Sequence, residues 1–470
     1  MPVPVISVAQ MREWEKATWA SGQSEEAVMS LAGQAVARRA EQLTQPGGFI
    51  LVLSGKGHNG DDARLAAESI SGRETRVLRA IDPETIGAEL APLLARRPAL
   101  IIDGLFGIGL NRPLAAAWIK LIQQVNQSGA PILAVDTPSG LNADTGMPLD
   151  DAVRATVTLT LGAVKQGFLK SNAWPFVGRL EVAPDIGLIP YPFTTEISMI
   201  APGDFAGFPP PRPPAGHKGT FGHLVIIAGS QGYHGAAVLA ARGAQRAQPG
   251  LITLLTAPKV YDPVARQLQA VMVKPWSDEV ELPETCTAVV AGPGLAAPDV
   301  PKYVKHFTTH LWVESTRALI IDASALAWLS PGACPPKALR VITPHPGEAA
   351  RLLQTTSAEV QGDRPKALRD LSKRLGGCWV VLKGHQTLIG RRKEELFVNC
   401  SGNPHLAQGG SGDLLAGYLG GLLAQPALRA DAGKTIRYAV WQHGAAADAL
   451  QAKKPNWTVE ELADELGNAR

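Results

Sequence analysis

Cysteine is scarce in this chain. Four occur among 470 residues, and Cys286, Cys334, Cys378 and Cys400 stand far apart with no Cys-x-x-Cys pair. That excludes a disulfide scaffold and the usual thiolate metal sites, and leaves ordinary reduced thiols. Long apolar runs are missing too: none approaches the ~20 residues of a membrane-spanning helix. Near the N-terminus, Arg12, Glu13, Glu15 and Lys16 stand where a secretory signal would need its apolar core. Charge is nearly balanced, at +3 net, which gives no basis for a nucleic-acid or acidic-membrane surface. No internal repeat is found. The expectation is a soluble, cytoplasmic protein with no nucleic-acid partner and no membrane partner.

What the chain does have is material for a core. Hydrophobic residues make up 45%, and the length exceeds one ordinary core, so two domains are expected. The prolines of the 208–216 stretch cannot donate ladder hydrogen bonds and favour a stiff, extended connector. The boundary is placed there, giving domains 1–208 and 212–470. In both halves short β-branched runs alternate with Ala/Leu-rich helical patterns, the mark of α/β domains with mostly parallel sheets. Strands are expected at 49–53, 99–102, 131–135, 223–228, 251–255, 288–291, 319–322 and 379–382. Helices are expected over 235–247, 411–424 and 435–450.

Three strands of the first half end in polar or glycine-rich turns, at 54–62, 103–109 and 136–140. Ligands of open α/β sheets sit beyond the carboxyl ends of the strands, so these turns can converge on one pocket. In the second half, Gly409-Gly410-Ser411-Gly412-Asp413 runs straight into the apolar helix expected at 411–424. Glycines there let backbone N–H groups approach a ligand, and the helix N-terminus suits phosphate. A carboxylate at such a mouth is an electrostatic liability unless it does chemistry, as a base taking a proton from a hydroxyl that attacks phosphate. The alternative is a plain turn with Asp413 as a cap.

Further motifs follow in order along the second half: His217-Lys218-Gly219-Thr220-Phe221-Gly222, Gly229-Ser230, Gly235-Ala236-Ala237, Ala291-Gly292-Pro293-Gly294, Thr343-Pro344-His345-Pro346-Gly347-Glu348 and Lys383-Gly384-His385-Gln386-Thr387. With the 409–413 segment they resemble the ADP/ATP-dependent NAD(P)H-hydrate dehydratases, a family of ribokinase-like fold. The first half, through its Gly-x-Gly-x-Asn-Gly loop and Asp136-Thr137-Pro138-Ser139-Gly140, resembles the NAD(P)H-hydrate epimerases, implying a Rossmann-like domain. Fusion of the two is similar to the bifunctional bacterial repair enzymes.

The resemblance implies a substrate, NADHX or NADPHX, that is NADH or NADPH carrying water across a nicotinamide double bond with a hydroxyl at C6. Hydroxide leaves poorly, so phosphorylating it creates a good leaving group, and phosphate departs as the dihydronicotinamide is restored. It implies Asp413 as the base and Gly410, Ser411 and Gly412 around the migrating phosphate. Lys383, Gly384, His385, Gln386 and Thr387 would hold the donor, and Ala236, Gly294 and His345 the hydrated dinucleotide. The donor is ADP or ATP; the bacterial-type fusion leans to ADP, with magnesium. In the epimerase half, which interconverts the R and S hydrates, the resemblance implies potassium on Asn59, Asp103 and Ser139. Asp136 and Lys165 would be catalytic, and His58, Asn59, Gly60, Asp61, Asp62, Gly107, Ile108 and Gly109 would bind substrate. A homo-oligomer is expected.

One loop departs from the pattern. The epimerases carry Gly-Asn-Asn-Gly-Gly-Asp-Gly; this chain has Gly57-His58-Asn59-Gly60-Asp61-Asp62-Ala63. Asp61 adds negative charge where a diphosphate is expected. Two other readings stay open: a vitamin or sugar kinase of ribokinase-like fold, and a dehydratase whose N-terminal half is a non-catalytic module.

Overall fold

The computed structural model describes residues 2–332, 334–335 and 337–469. Residues 1 and 470, the outer ends of the two expected domains, lie outside the described residues. The chain is α/β throughout and packs as two compact units, Val3–Met199 and a second from Ile200 onward. The units part ahead of the proline run. Phe205 and Phe208, on its N-terminal side, meet Tyr438 edge to face at 5.3 and 5.1 Å, and Phe205 also packs on Trp441 at 5.1 Å, which ties this stretch to the second unit.

The first unit contains β1 (Val3–Ile6), β2 (Phe49–Ser54), β3 (Glu74–Arg79), β4 (Leu100–Gly104), β5 (Ile132–Val135), β6 (Val157–Leu161), β7 (Val164–Lys165), β8 (Arg179–Ala183) and β9 (Ile197–Met199). Six of these form a parallel sheet in the order β3-β2-β4-β5-β6-β8. Every residue of β2, β4, β5 and β6 is buried, as near-continuous apolar strands covered on both faces must be. Two apolar clusters cover those faces, one around Val36, Ile50 and Ala66, the other around Leu51, Leu90 and Ile122. The strand order reverses between β2 and β4, so the loops after these strands splay apart and open a crevice. A smaller set, β9-β1-β7, pairs β1 antiparallel to β9 and parallel to β7.

The second unit contains β10 (His223–Ile227), β11 (Leu251–Thr256), β12 (Met272–Pro275), β13 (Ala288–Ala291), β14 (Ala318–Ile321), β15 (Arg340–Ile342), β16 (Trp379–Leu382), β17 (Thr387–Gly390) and β18 (Leu396–Asn399). They run β12-β11-β10-β13-β14-β15-β16-β17-β18, parallel as far as β16 and then antiparallel. The helix Ser411–Ala424 is buried on nearly every side, which its uniformly apolar composition requires. Glycines bring it backbone to backbone against the helix His234–Ala247. A Cβ on Gly417 would meet the Ala240 carbonyl at 1.8 Å, and one on Gly243 the Leu414 carbonyl at 2.1 Å. Among the described residues no helix is long and apolar enough to cross a membrane.

Candidate functional site

In the second unit the sheet delivers three side chains to one point. Asp322 follows β14, Thr343 follows β15 and Lys383 follows β16. The Lys383 ammonium and the Thr343 hydroxyl both donate to Asp322 Oδ1 at 2.7 Å, and Asp322 is only 1% exposed. The same ammonium stands 3.3 Å from where a Cβ on Gly412 would lie, so it reaches the start of the helix Ser411–Ala424. Gly410 caps that helix at φ +95°, a left-handed turn that glycine adopts without strain. Asp413 sits in the first helical turn. Burial, then the charges of Asp322 and Glu348, push its carboxyl up to about 7, with Lys383 pulling the other way. Lys383 itself is raised: burial works against its charge, but Asp322, Glu348 and Asp413 outweigh it. The arrangement is a carboxylate poised near neutrality beside a cation and a helix N-terminus, which suits base catalysis at a phosphate acceptor.

Around this centre, His345 caps the helix Pro346–Leu353. Its Nδ1 accepts from the Gly347 and Glu348 N–H groups at 3.0 and 3.4 Å, and Nε2 faces Glu348 Oε1 at 3.5 Å. Half of its side chain is exposed, so Nε2 can turn to a ligand. Gly294, at φ +64°, lies against Ala236: a Cβ there would come within 2.9 Å of the alanine methyl and 2.4 Å of the Tyr233 carbonyl. Only Lys383 of the 383–387 segment is placed against Gly412. Gly384, His385 and Gln386 make the tight turn into β17, where Thr387 closes on the Gly384 carbonyl at 3.0 Å. Buried Arg364 holds this turn from beneath, donating to the Leu382 and Lys383 carbonyls at 2.9 and 3.4 Å.

In the first unit, Asn59, Asp103 and Ser139 meet at the crevice between β2 and β4. Asp103 is fully buried; Ser139 donates to it through its hydroxyl at 2.6 Å and its N–H at 2.9 Å. Burial outweighs these bonds and pushes the carboxyl up to about 6. Asn59 Nδ2 donates to the Phe106 carbonyl at 2.9 Å, and the Phe106 N–H to the Ser139 hydroxyl at 2.9 Å. Asn59 Oδ1 is buried with no partner among the described residues. An orphaned amide oxygen, a buried carboxylate, a hydroxyl and a main-chain carbonyl are hard donors with one charge between them, and they fit a monovalent cation.

Asp136 lies beyond β5 at φ +60°, a strained setting for a non-glycine residue. Its Oδ1 accepts from the Lys165 ammonium, from Thr160 Oγ1 at 3.2 Å and from the Leu161 N–H at 2.9 Å. The fully buried Lys165 also bonds Thr160 Oγ1 at 3.0 Å and the Leu161 carbonyl at 3.1 Å. Beside this pair opens a cleft of about 930 Å³ lined by Glu15, His58, Asn59, Gly60, Asp62, residues 105–112 and Asp136. Gly107, Ile108 and Gly109 are part of that wall. Asp61 is not. It is 42% exposed and turns toward Arg64, 4.0 Å away. His58 reaches the cleft rim and Glu25, at 3.4 Å, with its side chain mostly in solvent.

Comparison with known proteins bears on both units. Residues 224–468 match the family model described as NAD(P)H-hydrate dehydratase, and residues 81–167 the one described as YjeF-related protein N-terminus. A bifunctional NAD(P)H-hydrate repair enzyme of Gloeobacter violaceus is 35% identical over 96% of this chain and 94% of its own. The chain belongs to the bifunctional NAD(P)H-hydrate repair enzymes. Among solved structures, a ribokinase-like superfamily protein of Enterococcus faecalis matches at a TM-score of 0.51, with 26% identity over 59% of this chain and 96% of its own. An ADP/ATP-dependent NAD(P)H-hydrate dehydratase of Bacillus subtilis, co-crystallised with ATP/Mg2+, is 31% identical over 55% of this chain and 92% of its own, at a TM-score of 0.49.

As a member of the bifunctional repair enzymes, the chain is an enzyme with an epimerase-like N-terminal domain and a nucleotide-dependent dehydratase domain of ribokinase-like fold. Several groups at its sites escaped the sequence reading. Asp322 looked like the end of a strand, and only the fold brings it to Lys383. Glu348 was visible inside its motif but not as a charge acting on Asp413. His443, on the helix Ala432–Lys453, lies 3.1 Å from the Ser411 carbonyl, and burial pushes it down to about 4. Glu15 carried no motif at all.

Proposed function

We propose that the second unit dehydrates the S form of NADHX and NADPHX at the expense of ADP, yielding the dihydronicotinamide, AMP and phosphate. The observation that carries the reading is Asp413, a mostly buried carboxylate at a glycine-opened helix start beside Lys383, held near neutrality. Asp413 takes the proton of the C6 hydroxyl as that oxygen attacks the terminal phosphorus. The N–H groups around Gly410, Ser411 and Gly412 and the Lys383 ammonium stabilise the charge on the moving phosphoryl. Phosphate then leaves C6, pushed by the ring nitrogen, and the C6=N⁺ intermediate loses a C5 proton to water, which closes the C5=C6 double bond of the dihydronicotinamide. Residues 383–387 hold the nucleotide, and Ala236, Gly294 and His345 the dinucleotide. A magnesium ion bound with the nucleotide would neutralise phosphate charge; such ions keep most of their water and take one or two carboxylates plus phosphate oxygens. Asp322 and Glu348 can supply those carboxylates.

The first unit interconverts the R and S hydrates. The cation cradle of Asn59, Asp103 and Ser139 holds potassium, and the Asp136–Lys165 pair acts at the substrate ring. The outward turn of Asp61 supports an active epimerase despite the altered loop, since an inward carboxylate ~4 Å from a phosphate would cost about 4 kcal/mol at an effective dielectric of 20. His58, Asn59, Gly60, Asp62, Gly107, Ile108 and Gly109 complete the substrate wall. The functional division 1–208 and 212–470, a cytoplasmic setting and a homo-oligomer belong to the same proposal. Pure protein given both hydrates with ADP, then ATP, tests it by the return of NADH absorbance. Consumption of only the S form leaves the dehydratase alone; no recovery with either nucleotide rejects the reading.

A further inference from the structure

The N-terminal cleft holds more carboxyl groups than the Asp136–Lys165 pair accounts for. Asp62, from the helix His58–Ser69, is 7% exposed, lines the cleft, and its Oδ1 has no hydrogen-bond partner among the described residues. Glu15, from the helix Val8–Ala20, lines the same cleft. Buried polar atoms without partners are rare, because each carries a desolvation cost of about 1–3 kcal/mol. An unpartnered Asp62 Oδ1 in the wall of an open cleft points to a ligand that supplies the missing bond.

Asp136 shows which atom remains for substrate. Lys165, Thr160 and Leu161 all donate to Oδ1, which leaves Oδ2. Asp136 thus offers an ion-paired carboxylate. Asp62 offers the complementary state. Burial, then the charges of Asp136, Asp61 and Glu15, push it up to about 8 against the pull of Lys165, so it carries its proton at neutral pH. Glu15 is raised as well, by burial and then Asp136, against Lys165, His58 and Arg12. A protonated carboxyl and an ion-paired carboxylate lining one cleft are the arrangement that general acid–base chemistry uses.

The hydrate's C6 carries both a hydroxyl and the ring nitrogen, so it can invert without redox chemistry. The C6–O bond breaks as the hydroxyl takes a proton and leaves as water, and the nitrogen lone pair forms a C=N⁺ bond. Water then adds to the opposite face of C6, returning the electron pair to nitrogen and giving up a proton. Resting on the epimerase reading above, we propose that Asp62 is the second proton-transfer residue: its carboxyl protonates the departing hydroxyl, while Asp136 takes the proton of the incoming water. The protons are exchanged back through water in the open cleft, and the roles reverse for the S-to-R direction.

The test uses the full chain, following R-to-S conversion chromatographically, with dehydration of the S hydrate as an internal control for folding. Asp62→Asn keeps the shape but cannot release a proton, and it is expected to lower kcat for conversion by ~10²–10⁴ with little change in KM. The wild-type rate should fall as pH rises through about 8, and Glu15→Gln should move that limb to lower pH by removing a negative neighbour. A near-wild-type kcat in Asp62→Asn, an effect confined to KM, or an unmoved limb in Glu15→Gln overturns the role of Asp62 while leaving the epimerase standing. A wild-type chain that converts nothing removes the epimerase reading and this residue's role with it.

Discussion

Replacing Asp413 by Asn should disable the dehydratase and stabilise the protein at once. Asn keeps the shape and can still accept a hydrogen bond, but it cannot take the C6 proton. Loss of a general base costs ~10²–10⁴ in rate. The carboxyl is raised from 3.8 to about 7, with burial the largest cause. Its folded-state pKa lies above the unfolded one, so the folded form binds the proton more tightly. Relative to the protonated state, stability is intact below pH ~4, declines as pH rises through the window to about 7, and stays lowered above it. A shift of roughly 3 units at 1.36 kcal/mol each bounds the penalty at about 4 kcal/mol. The Asn variant is free of that penalty. Its melting temperature should match the wild type near pH 4 and exceed it increasingly toward pH 8. For the wild type, about one site in ten is ionised at pH 6 and about nine in ten at pH 8, so turnover should rise roughly tenfold between them. Thermal melts and NADH recovery across pH check both halves. A variant with near-normal turnover at saturating nucleotide, or one no more stable than wild type at pH 8, refutes the reasoning.

Other expectations follow from the same geometry. Phosphate and the dephosphorylated nucleotide should appear one for one with NADH; a lasting phosphorylated organic product would indicate a vitamin or sugar kinase instead. Lys383→Met strands Asp322, 1% exposed, without its counter-charge and should cost about 3–5 kcal/mol of stability, measured by denaturant unfolding, as well as nucleotide binding. Asp61→Gly should leave R-to-S conversion within about threefold of wild type, because the side chain turns to Arg64; a large gain would mean it does reach the diphosphate. Exchanging potassium for tetramethylammonium should slow conversion reversibly, and Asp103→Asn should abolish that response.

Where a segment announces its own structure, the sequence could be read closely. The apolar helix at 411–424 is found over Ser411–Ala424, and the buried strands fall where β-branched runs predicted them. The edge of the second sheet was less legible. The antiparallel pair β17 and β18 has four residues in each strand, too few for a period to stand out, and it turns most of the 383–387 segment into a hairpin approach. Asp322, His443 and Glu15 act across large sequence separations, so no local spacing could link them to Lys383, Ser411 or Asp136. The strand ends of one parallel sheet announced three converging turns, but Asn59, Asp103 and Ser139 within them were singled out only by the resemblance to the epimerases.

The glycine-to-carbonyl contacts between the helices Ser411–Ala424 and His234–Ala247 have a mechanical meaning. Helices separated by side chains can slide by repacking those chains, whereas here the two backbones touch and there is no cushion to deform. Asp413 therefore rides on a rail fixed to the helix that also bears Ala236, and the two residues share one rigid frame. An added methyl at Gly417, about one turn along the helix from Asp413, would have to push the whole rail. A displacement of about 1 Å at a reacting centre can cost ~10²-fold in rate. The position of Asp413 is set where the two helices touch, not at the mouth of the helix itself.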